Sequence, residues 1–372
     1  MHINILQKKI KEGLSVTGRA VAKASTLPIL KNIYFKTDGN YLCLTATDLE
    51  IAVKWWSLVN KEKEGEFLVN YETINSFINT LPNEKISFKS SDKNVQIVCG
   101  DYKTQINSID HTDYPVVPEI KEKQKITLAS NTLCAALINT VDIPSDSKIK
   151  PEISGVLFNY KDGEFSFVAT DTYRLAEKKI SVSEKLSDFS VIIPQRTVRE
   201  VINIFKEVPS DVDILFSDNQ VVFRAYLEDS EKPFIELTSK IIEGNYPDYK
   251  KIIPQQTTSQ ITVKREDFLN KIKAASVFST KVREVNFNVS PKNKVINITS
   301  NNTDIGHYES TIKGEGEGDD IEVSFNYRFL IDGLSNITSS EVVLEISEDN
   351  KPGLLKPVGK DDYLYVIMPI KK

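Results

Sequence analysis

The sequence predicts an α+β protein made of one unit used three times, each unit two helices packed on antiparallel sheet. Three observations carry this. Short alternating strands at Ile3-Asn4-Ile5, Ile126-Thr127-Leu128 and Ile261-Thr262-Val263 each lead into apolar pairs at helical spacing, Ile10 with Leu14, Leu133 with Leu137 and Phe268 with Ile272. A second strand in each unit, Phe67-Leu68-Val69, Val191-Ile192-Ile193 and Val323-Ser324-Phe325, leads the same way into Ile74, Val198 and Leu330. Finally, the strand and turn Leu42–Glu50 (Leu-Cys-Leu-Thr-Ala-Thr-Asp-Leu-Glu) return within Phe165–Ala176, with a worn third copy at Ile296–Asp304.

Between these strand–helix pairs lie hairpins. Unit one has Ile33-Tyr34-Phe35, a turn at Asp38-Gly39, then Tyr41–Ala46; unit two has Val156-Leu157-Phe158, a turn at Asp162-Gly163, then Glu164–Ala169. Asp-Gly between alternating runs is a strong hairpin signal because both residues accept positive φ. Unit three has Val285–Val289, a turn near Pro291-Lys292-Asn293, then Val295–Thr299. Further hairpins are expected from Lys85–Phe88 with Val95–Val98, Val212–Phe216 with Val221–Ala225, and Val342–Ile346 with Tyr363–Met368. Proline-rich, strand-poor joins around Tyr114–Pro118 and Tyr246–Thr257 set the expected domains at 1–120, 126–250 and 257–372.

Length and composition agree with this plan. The 372 residues suffice for two to three cores, and 40% hydrophobic with 27% charged residues is an ordinary globular balance. Cys43, Cys99 and Cys134 are odd in number and far apart, with no CxxC pair, so buried thiols are expected rather than a disulfide framework or zinc site. The start of the chain lacks the build of a signal peptide and no apolar run reaches the length of a membrane span, so a soluble, cytoplasmic protein is expected, with no membrane partner.

The formal net charge of -5 argues against simple adhesion to nucleic acid, but the charges are segregated. Lys8, Lys9, Lys11, Arg19 and Lys23 face only Glu12 in the first helical region; Lys271, Lys273, Lys281 and Arg283 crowd the corresponding region of unit three. The helix after Pro194 adds Arg196, Arg199 and Lys206, while acids gather in loops such as Gly314–Asp320. One charged helix is an ordinary solvated face; recurrence at equivalent repeat positions favours a basic surface for phosphates. No aromatic ladder or base-reading helix is visible, which argues against sequence-specific readout.

Candidate catalytic groups are few. Asp48 and Asp171 could be paired acids, but they recur at equivalent places of separate units, and a carboxylate accepting backbone N–H groups in a tight turn explains both. His2, His111 and His307 have no neighbours at ligand spacing, and no GxxxxGK[ST] loop exists for ATP. The alternating Gly314–Gly318 run carries glutamates that would repel phosphate, and a flexible hairpin loop is expected there. No catalytic residue, metal or cofactor is expected.

Five stretches in order carry a resemblance. Thr26–Ile33 (Thr-Leu-Pro-Ile-Leu-Lys-Asn-Ile), Leu44–Glu50, Ala169–Ala176, Tyr246-Pro247-Asp248-Tyr249 and the terminal Tyr365–Ile370 resemble the bacterial sliding clamps, the β subunits of DNA polymerase III, over essentially the whole chain. The resemblance implies three clamp-type domains, and a ring of two head-to-tail subunits whose helices line a hole holding duplex DNA without sequence specificity. It implies partners that carry a clamp-binding peptide: the polymerase III catalytic subunit, the clamp loader, other polymerases and repair proteins. Carried over residue by residue, the peptide pocket would be formed by Ile153, Thr170, Thr172, Tyr173, Arg174 and Leu175, with Pro247, Lys251 and Ile252, and with Val366, Met368, Pro369 and Ile370. Arg174 would hold polar groups of the peptide, and Met368, Leu175 and Ile252 would be adaptable apolar walls. From the residues alone, Met368-Pro369-Ile370 is an ordinary strand end. Tyr173 stands where many relatives carry histidine, and Lys251 where many carry arginine; lysine makes no planar fork, which points to a shifted peptide preference.

The ring also implies phosphate-facing positions at Lys23, Lys148, Lys150, Arg196, Arg199, Lys271 and Lys273. Its subunit contact would join Val277 and Phe278 of one copy to Ile106 of the other, although an apolar pair such as Val277-Phe278 reads equally as core.

Overall fold

Among the described residues, α-helices stand at the six predicted places: α1 (Gln7–Thr17), α2 (Tyr71–Thr80), α3 (Ser130–Ile138), α4 (Gln195–Phe205), α5 (Arg265–Val277) and α6 (Tyr327–Asn336). The computed structural model describes residues 1–23, 26–91, 93–145, 149–182, 185–227, 230, 232–347 and 351–371. Each helix follows directly on a strand, and the apolar positions chosen from spacing (Ile10, Leu14, Ile74, Leu133, Leu137, Val198, Phe268, Ile272 and Leu330) are fully buried. Asn70 caps α2 by accepting the N–H of Thr73 at 3.0 Å, and Asn326 caps α6 through Arg328 N–H at 3.0 Å. Among the described residues no helix is long and apolar enough to cross a membrane.

The chain forms two compact units. The first comprises Met1–Cys134 with Arg199–Ile241, the second Ala135–Val198 with Ile242–Lys372. The middle repeat is therefore shared, and backbone pairing explains why. In unit one the strand Pro233–Lys240 pairs antiparallel with Ile51–Leu58 of the first repeat, inside an eight-stranded sheet. In unit two the strand Arg174–Ser181 pairs with Tyr363–Ile367 of the third repeat, inside a twelve-stranded sheet. A separate five-stranded sheet in unit one ends on Tyr102–Asn107.

The hairpins follow the sequence with three corrections. In the second repeat Lys161 pairs with Glu164 across Asp162 and Gly163, at φ 52° and 83°, as expected. In the first, Asp38 pairs with Tyr41, so the connection is Gly39-Asn40, one residue later than expected. In the third repeat Val342–Ile346 does not pair with the terminal strand. A strand at Gly353–Pro357 intervenes, bonded to Glu341–Ile346 on one side and Tyr363–Ile367 on the other. Its terminal Gly and Pro read as turn residues, which hid it.

The third correction concerns Gly314–Gly318. It is not a loop but the second half of the strand Gly306–Gly318, whose first half pairs with Val295–Asn302 and whose second half pairs with Ser259–Val263. The ladder comes so close that a Cβ on Gly314 or Gly316 would lie 2.4 Å or 2.3 Å from the carbonyl oxygens of Thr262 and Gln260. These glycines are there for close backbone approach, not for flexibility.

Candidate functional site

The Thr170–Arg174 turn of unit two is built by its own side chains. Asp171 Oδ1 accepts the N–H groups of Tyr173 and Arg174, both at 3.0 Å. The Thr170 hydroxyl donates to Arg174 O at 2.7 Å and accepts from Thr172 N–H at 3.2 Å, which leaves Thr172 left-handed at φ 75°. The Thr47–Ile51 turn of unit one has the same bonds: Asp48 Oδ1 accepts from Glu50 at 3.0 Å and Ile51 at 2.9 Å, and Leu49 sits at φ 77°. The third copy keeps one of them, Asp304 N–H to Asn302 Oδ1 at 3.0 Å, and its strand runs on through Asn302. The tempting aspartates are turn builders.

Arg174 occupies the place that Ile51 has in the first copy, and its side chain is engaged within the protein. Its side chain is only 10% exposed. Nε donates to Asp171 Oδ2 at 3.0 Å, Nη1 to Asp332 Oδ2 and to the Tyr365 hydroxyl at 3.5 Å, and Nη2 to Asp142 O at 3.2 Å. The guanidinium also lies over the Phe329 ring. Burial opposes its charge, but Tyr365, Asp332 and Asp171 outweigh burial and raise its affinity for the proton further. Arg174 is therefore a tie among the protein's own groups, and what it offers outward is Tyr173, which is 63% exposed and stacked on Phe329.

The remaining predicted residues divide by burial. Ile153, Thr170, Leu175 and Val366 are buried beneath the surface. Leu175 and Val366 belong to an apolar cluster with Leu157, Val168, Ile192, Tyr249 and Leu354. Tyr249 brings the turn Tyr249–Ile252 onto that cluster and donates its hydroxyl to the buried Glu177 at 2.7 Å; burial, then that bond, raises the pKa of the phenol. Thr172, Pro247, Lys251 and Ile252 are exposed, and Met368, Pro369 and Ile370 are half-buried. Met368 N–H donates to Tyr173 O at 2.8 Å, so the strand end and the turn are one piece of structure. Lys251 pairs on the surface with Asp248 at 3.0 Å. Phe329 and Asp332 were missed: they share a face of α6 that no sequence pattern marks.

The other predicted residues are placed as follows. On α4, Val198, Val201 and Phe205 face inward while Arg196 and Arg199 are exposed; Lys23, Lys150 and Lys273 are exposed too. Lys271 is half-buried and donates to Thr311 O at 2.8 Å, so its ammonium serves the strand beside α5. Lys148 lies outside the described residues. In unit one Ile106 lies on the edge strand Tyr102–Asn107 and is 9% exposed. In unit two Val277 is 63% exposed, which excludes a core role, and Phe278 stacks on Tyr308 at 5.9 Å near the exposed Ile305.

Comparison with known proteins follows the repeats. Family models for the N-terminal, central and C-terminal domains of the DNA polymerase III beta subunit match residues 1–118, 127–248 and 250–371. A beta sliding clamp of Staphylococcus epidermidis is 27% identical over 370 residues, 96% of either chain, and one from Staphylococcus aureus is 27% identical over 374 residues, again 96% of each. The crystal structure of the DNA polymerase sliding clamp from Bacillus subtilis superposes with a TM-score of 0.94 at 24% identity, over 100% of this chain and 99% of the other. The griselimycin-bound clamp from Pseudomonas aeruginosa gives 0.94 at 23% identity over the full length of both.

Proposed function

Because the chain belongs to the family of DNA polymerase III β subunits, the sliding clamps of DNA replication, we propose that two copies close head to tail into a ring around duplex DNA. Three domains, 1–120, 126–250 and 257–372, make each half of it. Two open strand edges support the closure: Tyr102–Asn107 ends its sheet, and among the described residues the Gly306–Lys313 half of the long strand has a strand partner on one side, Val295–Asn302. The exposed Val277 and Ile305 and the half-buried Tyr308–Phe278 stack give the second edge an apolar border. Exposed cations such as Arg196, Arg199, Lys150 and Lys273 meet phosphates, and Lys23 joins them. Such contacts carry no sequence information and let the ring slide.

The exposed Tyr173, seated on Phe329 next to Met368, is the observation that carries the partner site. A short peptide from the polymerase III catalytic subunit, the clamp loader, or another polymerase or repair protein docks there, against Thr172, Pro247, Lys251, Ile252, Met368, Pro369 and Ile370. Ile153, Thr170, Leu175 and Val366 form the floor, and Arg174 fixes the frame. The chain tethers rather than catalyses. Loaded onto nicked circular DNA, it should be retained on a sizing column and lost once that DNA is linearised. Equal loss from both forms would refute the topological reading.

A further inference from the structure

Unit one builds the frame of the partner site a second time, around a cavity that no role above uses. Ser239 pairs with Ile51 as Ile367 pairs with Arg174. Lys240 N–H donates to Glu50 O at 3.1 Å, as Met368 N–H donates to Tyr173 O. Tyr114, buried and bonded through its hydroxyl to Thr45 O at 3.3 Å, anchors the segment that carries Pro115 to Pro118 along the same turn. Lys240 thus stands where Met368 stands, Leu49 where Thr172 stands, and Glu50 where Tyr173 stands.

The cavity measures about 300 Å³. Its apolar lining is left open: Leu49 is 43% exposed and Val116 89% exposed, apolar surface that a partner's side chain could cover. Its polar lining is unspent. Lys240 has no ion pair, and the side chains of Gln220 and Thr238 have no hydrogen bond, among the described residues. Apolar walls with a few convergent polar groups are the ordinary make-up of a recognition pocket.

We propose that this cavity is a second peptide-docking site, which takes an extended segment with an apolar side chain against Leu49 and Val116 and a single carboxylate toward Lys240. The charge follows from Lys240. Glu50, which also lines the cavity, disfavours a second acid. Different side chains on the same frame give each chain two peptide sites of different preference. The likeness of frame rests on reading the Tyr173 site as a docking site, whereas the cavity and its lining belong to unit one alone.

The test is methyl NMR on the full chain, titrated with the blocked peptides acetyl-Leu-Glu-Gly-amide and acetyl-Leu-Lys-Gly-amide. Saturable shifts of the Leu49 and Val116 methyls are expected with the glutamyl peptide, at an affinity about fivefold above that of the lysyl peptide. Lys240→Glu, on an exposed side chain, should reverse the preference. Leu49→Gly, which suits the left-handed backbone, should abolish binding without unfolding the chain. No shift at Leu49 and Val116, equal affinity for both peptides, or an unchanged preference in Lys240→Glu would each overturn the proposal. The Met368 and Ile370 methyls report the other site independently: shifts there alone would overturn this proposal and leave that site standing.

Discussion

The Arg174 guanidinium carbon lies 4.7 Å from the centre of the Phe329 ring, and the residue before it, Tyr173, stacks on that same ring at 6.4 Å. One phenylalanine of α6 thus seats a buried cation and an exposed aromatic side by side. The cation holds the turn, and the aromatic stands exposed beside it.

Arg174→Ala leaves Asp171 and Asp332 without their cation and should destabilise unit two by about 3 kcal/mol, read from urea unfolding. Arg174→Lys should recover only part of this, because an ammonium cannot span Asp171, Asp332 and the Asp142 carbonyl together. Full recovery by lysine would show that charge alone matters at this position.

Tyr173→Ala with Met368→Ala removes exposed and half-buried surface without breaking the tie. Affinity for a synthetic peptide from the polymerase's clamp-binding segment should fall at least about tenfold in calorimetric titration. The mass of the assembly should not change. Unaltered affinity would move the partner site elsewhere.

Val277→Asp should convert a particle of twice 42.0 kDa into one of 42.0 kDa by light scattering, with the far-ultraviolet spectrum unchanged because Val277 is exposed. A dimer that survives this change places the contact away from the end of α5.

Thr172 is β-branched in a left-handed conformation, a strain of about 1–2 kcal/mol that glycine does not suffer. Glycine gives back part of the gain as entropy of the unfolded chain, so Thr172→Gly should raise stability by about 0.5–1 kcal/mol. A lower melting midpoint in Thr172→Gly would mean that the side chain makes a contact worth more than the strain.

Burial pushes the Cys43 thiol up from 9.0 to about 11. The folded state therefore prefers the protonated thiol, and this contribution is fully present below pH 9. It is lost as the pH rises from about 9 to about 11, at a cost of about 2 kcal/mol. The pH dependence of urea midpoints should flatten over that range in Cys43→Ala, while an unchanged slope would place the titration on other groups.

Much of the fold was legible because it rests on periodicity. Ile10 and Leu14, or Phe268 and Ile272, could be placed on buried helix faces without any neighbour being known. The Asp48 and Asp171 turns were legible for a related reason: a motif that recurs at equivalent places belongs to the scaffold. What stayed hidden depends on contacts far apart in sequence. Gly314–Gly318 reads as a loop until the backbone of Gln260 and Thr262 is known to lie against it, and nothing near Phe329 says that Tyr173 and Arg174 will find it. The bonds that hold Arg174 are equally hidden, because the sequence does not show that Asp332, Tyr365 and the Asp142 carbonyl converge on it.

The strands Pro233–Lys240 and Arg174–Ser181 give the middle of the chain away on both sides, one to each sheet. A segment so committed has no boundary at which it could be cut free, since excision would strip two ladders and leave apolar-backed edges seeking any passing strand. The repeats look like modules in the text of the sequence, yet the protein they build is indivisible. Three copies of a part are present, and edge-to-edge bonding commits the middle one to both of its neighbours.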